Sequence, residues 1–212
     1  MSLRIFEIFH SLQGESSRVG LPTVFVRLTG CPLRCGYCDT EYAFHGGATQ
    51  SFEEILAKVA SYKAQYVCVT GGEPLAQKGC NELLKMLCDV GYQVSIETSG
   101  AMDIGQVDPR VSVIMDIKTP GSSEESKNLW GNIAHLTAKD EVKFVLVDRA
   151  DYDWAKQVLA QYDLSNKSRV LFSPVYKTLP ADHLAAWVLE DHLPVRMQVQ
   201  LHKILWGEKA GV

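Results

Sequence analysis

The chain has 212 residues, 46% apolar and 22% charged, with a formal net charge of −4; it is long enough for one domain, spanning 1–212, with a sizeable core, and its composition excludes a disordered or fibrous chain. No apolar run approaches the roughly 18 residues of a membrane span, and the opening MSLRIFEIFHSLQGES lacks a signal-peptide pattern, so a cytoplasmic protein with no membrane partner is expected. The slight acidity and the absence of a basic run argue against a nucleic-acid partner.

In chain order, residues 4–9 read as extended and are followed by a polar, glycine-containing loop at 11–20. Residues 23–28 (TVFVRL) are β-branched and apolar, with Arg27 the one charge, and predict a first core strand. The loop GCPLRCGYCDT, residues 30–40, follows at once and places Cys31, Cys35 and Cys38 within eight residues. Ser51 and Glu54 make a capping box that opens a helix to about Tyr62. Residues 66–70 (YVCVT) predict a second buried strand, broken by GGEP at 71–74; 79–90 predict a helix ended by Gly91, which suits a left-handed C-terminal cap. Strands follow at 93–97 and 111–117, a weaker helical segment at 126–136, a strand at 142–147 and a helix at 150–162. A strand at 170–172, a helix at 181–192 and a last strand at 197–201 complete the pattern, with no repeat or linker.

Strands alternating with helices imply right-handed crossovers and a mostly parallel sheet, either open or curled into a barrel. The segments CPLRCGYCDT, TGGEP, ETSG, DIKTPG, SPVY and QLHK each follow a strand. In a parallel sheet those positions line the carboxyl edge, where barrel and doubly wound enzymes place their sites. Ordinary turn chemistry accounts for one or two such segments, but not for a rim this rich in Cys, Asp, Glu, Lys and paired Gly.

Six cysteines form an even set, yet disulfide-dense folds are small, secreted and poor in core. Cys68 falls in a strand-like run and Cys80 and Cys88 on a helix-like stretch, where a small buried hydrophobe is the plain reading. The C-x3-C-x2-C loop differs: three thiolates hold a metal with one position left for another ligand. On spacing alone an iron–sulfur cluster, a zinc site completed by His45 and inert thiols all stay open; Cys31 counts against a simple C-x-x-C redox pair. Gly71 and Gly72 let backbone approach a ligand, and Glu73 is able to accept from a ligand ammonium, although GGEP by itself also suits a plain turn. Asp116 and Lys118 end an apolar strand, at the rim or merely solvated. Arg27 and Glu97, charges in runs otherwise fit for burial, read either as ligand contacts or as halves of internal ion pairs. His10 and the other scattered histidines lack metal-ligand spacing among themselves and receive no role.

The cysteine loop with an aromatic before its third cysteine, followed one β/α unit later by TGGEP, resembles the radical S-adenosylmethionine superfamily. More narrowly, FHSLQGES (9–16), FVRLTGCPLRCGYCDTEY (25–42), CVTGGEPL (68–75), SIETSG (95–100), DIKTPGS (116–122) and QLHKILW (200–206) resemble the 7-carboxy-7-deazaguanine synthase family over nearly the whole chain. The resemblance implies an α/β fold of one incomplete, TIM-like β/α barrel. It also implies conversion of 6-carboxy-5,6,7,8-tetrahydropterin to 7-carboxy-7-deazaguanine with ring contraction and loss of ammonia.

Carried over by position, Cys31, Cys35 and Cys38 are the expected ligands of a 4Fe–4S cluster. Tyr37, Cys38, Asp39, Gly72, Glu73, Asp116, Ile117, Lys118, Ser173, Pro174, Val175 and Tyr176 are expected to bind S-adenosyl-L-methionine. Leu12, Gln13, Gly14, Arg27 and Thr70 are expected to hold the pterin, with Arg27 answering its carboxylate. Thr40 is expected to give an oxygen to a Mg²⁺ that also meets substrate, which makes Arg27 and Thr40 the nearest to the chemistry. A flavodoxin or ferredoxin as electron donor and a homodimer are the expected partners; the tail WGEKAGV receives no assignment. Two other readings stand beside this one: an activase that forms a glycyl radical on a protein partner, and a zinc-stabilised binding module without catalysis.

Overall fold

The computed structural model describes residues 1–212. Its strands are β1 (Ser2–Leu12), β2 (Pro22–Leu28), β3 (Ala48–Ser51), β4 (Tyr66–Gly71), β5 (Gln93–Thr98), β6 (Ser112–Asp116), β7 (Glu141–Leu146), β8 (Arg169–Pro174) and β9 (Arg196–Met197). They form one nine-stranded sheet in the order β3-β1-β2-β4-β5-β6-β7-β8-β9. From β2 through β4 to β9 every pairing is parallel, whereas β1 pairs antiparallel with both β2 and β3. The helices are α1 (Phe52–Ser61), α2 (Cys80–Asp89), α3 (Arg149–Gln161), α4 (Leu164–Lys167), α5 (Ala181–Glu190) and α6 (Leu201–Trp206). The sheet's edge strands, β3 and β9, do not pair with each other. The fold is therefore an incomplete TIM-like barrel.

Successive side chains on a strand point to opposite faces, and here the two faces differ in kind. Val24, Val26, Leu28, Val67, Val69, Val94, Ile96, Val113, Met115, Val142, Phe144, Leu146, Val170 and Phe172 join one apolar cluster with Ile55 and Val59 of α1, Leu83, Leu84 and Leu87 of α2, Ala155 and Val158 of α3, and Leu184 and Val188 of α5. The alternate positions, among them Arg27, Thr70, Glu97, Asp116, Lys143 and Ser173, face the barrel interior and are mostly polar. The loop between β1 and β2 reaches into that interior: Glu15 meets Lys143 of β7, and Ser17 bonds Glu141 at the start of the same strand.

Local signals fix several boundaries. Ser51 caps α1 through Glu54 N while the Glu54 carboxylate accepts from Ser51 N, the predicted reciprocal pair. At the end of α2, Gly91 takes φ +97°, with Gly91 N bonded to Cys88 O and Tyr92 N to Leu87 O, a Schellman closure.

Three expectations require correction. The segment at 126–136 forms two 3-10 turns, Glu125–Lys127 and Trp130–His135, and no α-helix. Asn128 exchanges hydrogen bonds with the Lys118 backbone, and Asn132 bonds Gly100 O, Met102 O and Ile104 N, so side-chain amides compete with a helical ladder there. The strand expected at 197–201 ends at Met197, and Leu201–Trp206 is a helix; Leu201 N turns aside to Gly14 O at 3.0 Å. The edge strand β3, with the polar sequence ATQS, carries no apolar alternation and has no counterpart among the predicted strands.

Candidate active site

The cysteine loop leaves the end of β2 and is seated on the end of β4. Gly71 has φ +151°, and a Cβ there would come within 2.4 Å of Leu28 O. A Cβ on Gly72 would lie 2.4 Å from Gly30 O and 2.5 Å from the Cys31 Cβ. Only glycine allows this approach, and Glu73 N then bonds Gly30 O at 2.9 Å. The paired glycine of GGEP thus forms the floor of the cysteine loop.

The Glu73 side chain departs from expectation. It is fully buried, outside the cavity lining, and its carboxylate accepts from Ser99 N (2.7 Å), the Ser99 hydroxyl, Thr98 Oγ1 (2.9 and 3.0 Å) and Leu75 N (3.0 Å). With its lone pairs so occupied, Glu73 is a strut between GGEP and ETSG rather than an acceptor for a ligand ammonium.

Two adjoining cavities open inside the barrel. The larger, of about 590 Å³, is lined by Cys31, Cys35, Tyr37, Cys38, Asp39, Thr40, Gly72, Asp116, Lys118, Val175 and Tyr176. The smaller, of about 270 Å³, is lined by Leu12, Gln13, Gly14 and Arg27 among others. Asp39, Thr40 and Thr70 line both. Ile117, Ser173 and Pro174 line neither. The Ile117 side chain belongs to the apolar cluster on the opposite face of the sheet, which leaves only its backbone for a ligand. Ser173 is buried on the inner face with its hydroxyl unpartnered.

The donor set fits an iron–sulfur cluster. All three thiols are free, belong to one loop and line one cavity. Burial pushes the Cys35 thiol up to about 11, opposed by Lys118 and reinforced by Asp116, and burial also raises Cys31; binding a metal must therefore displace protons from them. No three His, Cys, Asp or Glu side chains converge on a point that suits a single ion. His45, needed to close a zinc site, is exposed and lines neither cavity.

Polar groups fit the remaining ligands. Asp116 Oδ2 lies 3.2 Å from Lys118 Nζ and 3.6 Å from Lys143 Nζ, while its buried Oδ1 has no partner in the protein. Tyr37 donates to Val145 O at 3.4 Å, and burial raises its phenol. In the smaller cavity the Arg27 Nε donates to Glu7 at 2.8 Å, with the guanidinium over the Phe9 and Tyr42 rings. Arg27 is thereby both paired and held in a cation–π frame, with further N–H donors on its fork. Glu97 forms no ion pair: it accepts from Thr70 Oγ1 (3.1 Å) and Gln13 Nε2 (3.3 Å).

Some site residues had no place among those expected. Glu15, Lys143, Gln200 and residues 208–212 line one or both cavities. A signal for Lys143 exists in the sequence, since it is a lone cation within EVKFVL, as Arg27 is within TVFVRL. Glu15 lies within FHSLQGES but receives no role of its own there, and nothing local marks the tail.

Residues 25–113 match the model of the radical SAM superfamily. A 7-carboxy-7-deazaguanine synthase of Chlorobaculum tepidum is 45% identical over 211 residues, covering 98% of this chain and 96% of the relative. The chain belongs to the 7-carboxy-7-deazaguanine synthase family. A second member of that family, from Koribacter versatilis, is 45% identical over 99% of this chain and all of its own length. The crystal structure of QueE from Escherichia coli superposes with a TM-score of 0.78 at 23% identity, covering 95% of each chain, so the likeness in fold extends across the whole barrel. Membership of the 7-carboxy-7-deazaguanine synthase family makes the protein a radical S-adenosylmethionine lyase of 7-deazapurine biosynthesis; neither the activase nor the zinc module is favoured.

Proposed function

We propose that the protein converts 6-carboxy-5,6,7,8-tetrahydropterin to 7-carboxy-7-deazaguanine, with ring contraction and release of ammonia, on the way to queuosine or another 7-deazapurine. The observation that carries the reading is the junction at Asp39, Thr40 and Thr70, which opens both to the cysteine-lined cavity and to the cavity of Leu12, Gln13, Gly14 and Arg27. Two ligands held in adjoining lobes react without either crossing bulk water.

Cys31, Cys35 and Cys38 hold the 4Fe–4S cluster, while Tyr37, Asp39, Gly72, Asp116, Lys118, Val175 and Tyr176, with the backbone of Ile117, hold S-adenosyl-L-methionine. Glu73 serves that lobe from behind, as the strut described above. Once bound, the cluster and cofactor supply one-electron chemistry that ends in hydrogen abstraction from the pterin C6. The protein's part is to bind, orient and exclude water. Asp116 lines the cofactor lobe with its carboxylate held by Lys118 and Lys143, as suits a ligand hydroxyl or ammonium. Arg27 receives the substrate carboxylate, aligned by Glu7 and the two rings. Residues 12–14 and Thr70 flank the same lobe and fix the bicyclic ring. The Thr40 hydroxyl, 3.7 Å from the Cys38 sulfur, gives an oxygen to a Mg²⁺ shared with substrate, a hard ligand for a hard ion. A flavodoxin- or ferredoxin-type carrier delivers the electron, and the working unit is a homodimer in the cytoplasm.

Anaerobically reconstituted, reduced protein given S-adenosyl-L-methionine, Mg²⁺ and the carboxytetrahydropterin tests the reading. Release of 7-carboxy-7-deazaguanine with one ammonia per turnover is expected. Cofactor cleavage with no deazaguanine would overturn the substrate assignment.

A further inference from the structure

Lys143 is a buried cation on the wall common to both lobes. Its Nζ lies 2.6 Å from Glu15 Oε2 and 3.6 Å from Asp116 Oδ2. Burying an ammonium is costly unless carboxylates surround it closely, and here one comes from each side of the wall. Both flanking carboxylates are shaped by the contact, in different ways. Glu15 uses both oxygens within the protein, accepting from Lys143 on one and from Gln200 Nε2 (2.7 Å) on the other. Its backbone N–H goes to Gln13 Oε1 at 3.3 Å, and Gln13 in turn donates to Glu97. Asp116 turns Oδ2 toward Lys143 and Lys118, and its Oδ1 is buried without a partner in the protein.

We propose that Lys143 is a positioning residue that ties the two lobes together, fixing the 12–15 loop through Glu15 and holding the Asp116 carboxylate at the wall of the cofactor lobe through Oδ2. It touches neither ligand's reacting atoms. Without its charge, Glu15, Asp116 and Glu97 lose the cation they share, with Lys118 left beside Asp116 and Arg27 near Glu97. Glu15 then swings the loop that carries Leu12, Gln13 and Gly14, and the Asp116 carboxylate is free to turn away from its place in the cofactor lobe. The inference rests on the proposed function for what fills each lobe, but not for the geometry of the wall.

The test measures binding as well as turnover. S-Adenosyl-L-methionine and, separately, the carboxytetrahydropterin are titrated calorimetrically into reconstituted wild-type protein, Lys143→Met, Lys143→Arg and the double variant Lys143→Met with Glu15→Gln. The double variant removes the pair together, so no lone buried charge threatens the fold. In Lys143→Met both affinities are expected to fall about tenfold, and the yield of product per 5′-deoxyadenosine to fall at least as far. Lys143→Arg is expected to recover most of the loss. In the double variant the melting temperature stays near wild type while both affinities and the coupling of cleavage to product remain low. Wild-type affinities and coupling in a folded double variant would overturn the proposal and reduce Lys143 to a structural ion pair. If wild-type protein binds the cofactor but not the pterin, the substrate assignment fails, and the Asp116 half of the proposal is still decided by the cofactor affinity of Lys143→Met.

Discussion

On β7, Val142, Phe144 and Leu146 pack into the helix-covered cluster, while their neighbours Glu141, Lys143 and Val145 face the barrel interior. The same contrast holds on β2, where Val24, Val26 and Leu28 oppose Phe25 and Arg27, and on β6, where Val113 and Met115 oppose Ile114 and Asp116. One backbone thus presents two surfaces a residue apart. The outer surface lowers the free energy of folding by removing apolar area from water, and any group of similar shape and polarity serves there. The inner surface holds charge in a half-dry cavity, where each group is useful only beside its partner. A substitution outside should therefore cost stability and leave chemistry per folded molecule intact, and one inside should do the reverse.

The sharpest break comes at the cysteine loop. Cys35→Ala should lose bound iron and sulfide and take turnover to background, yet move the melting temperature by only a few degrees, as metal analysis and calorimetry on one preparation will show. On the outer face, Phe144→Ala removes a fully buried ring packed edge-on against Phe172 and Trp154. A loss of roughly 3–5 kcal/mol in chemical denaturation is expected, with kcat per folded molecule unchanged. Arg27→Met keeps much of the bulk but removes the inner-face charge that we propose answers the substrate carboxylate. Truncating one side of such a buried pair costs about 2–5 kcal/mol, so a rise in KM on the order of a hundredfold is expected, larger than any fall in kcat.

Smaller effects refine the comparison. Although burial opposes ionisation of Glu15, Lys143 and Gln200 hold its carboxyl down to about 2 from the ordinary 4.5. Its ionised form adds stability that is fully present above pH 4.5 and is lost as the pH falls toward 2. In Glu15→Gln that part of the acid limb should flatten in a series of melts against pH. The least effect is expected at Ser51→Ala, which removes the cap of α1 at a cost of about 1 kcal/mol and leaves KM and kcat as they were.

Much of this division is legible before any coordinates. YVCVT, QVSIE and VKFVL each alternate, and Arg27, the cysteine loop and the strand-end segments mark one end of a parallel sheet as the site. GGEP was legible as a place of close approach, although what approaches Gly72 is the Gly30 carbonyl and the Cys31 Cβ. Glu73 was misread because a carboxylate beside a glycine pair looks the same whether it meets a ligand or the hydroxyls of Thr98 and Ser99, twenty-five and more residues away. Lys143 stands out as a lone cation within EVKFVL, but its partner does not: the contact with Glu15 spans 128 positions, and no local pattern records it. The strand expected at 197–201 stops at Met197, and Leu201 N bonds Gly14 O where the helix Leu201–Trp206 begins, with His202 and Lys203 lining the smaller cavity.

The central claim is that cofactor and pterin react across the junction of the two lobes. Substrate bearing deuterium at C6, incubated with reduced, reconstituted protein and S-adenosyl-L-methionine, tests it in one mass spectrum. The account predicts that the deuterium appears in 5′-deoxyadenosine alongside 7-carboxy-7-deazaguanine. Unlabelled 5′-deoxyadenosine, formed at the same rate with and without the pterin, would contradict it.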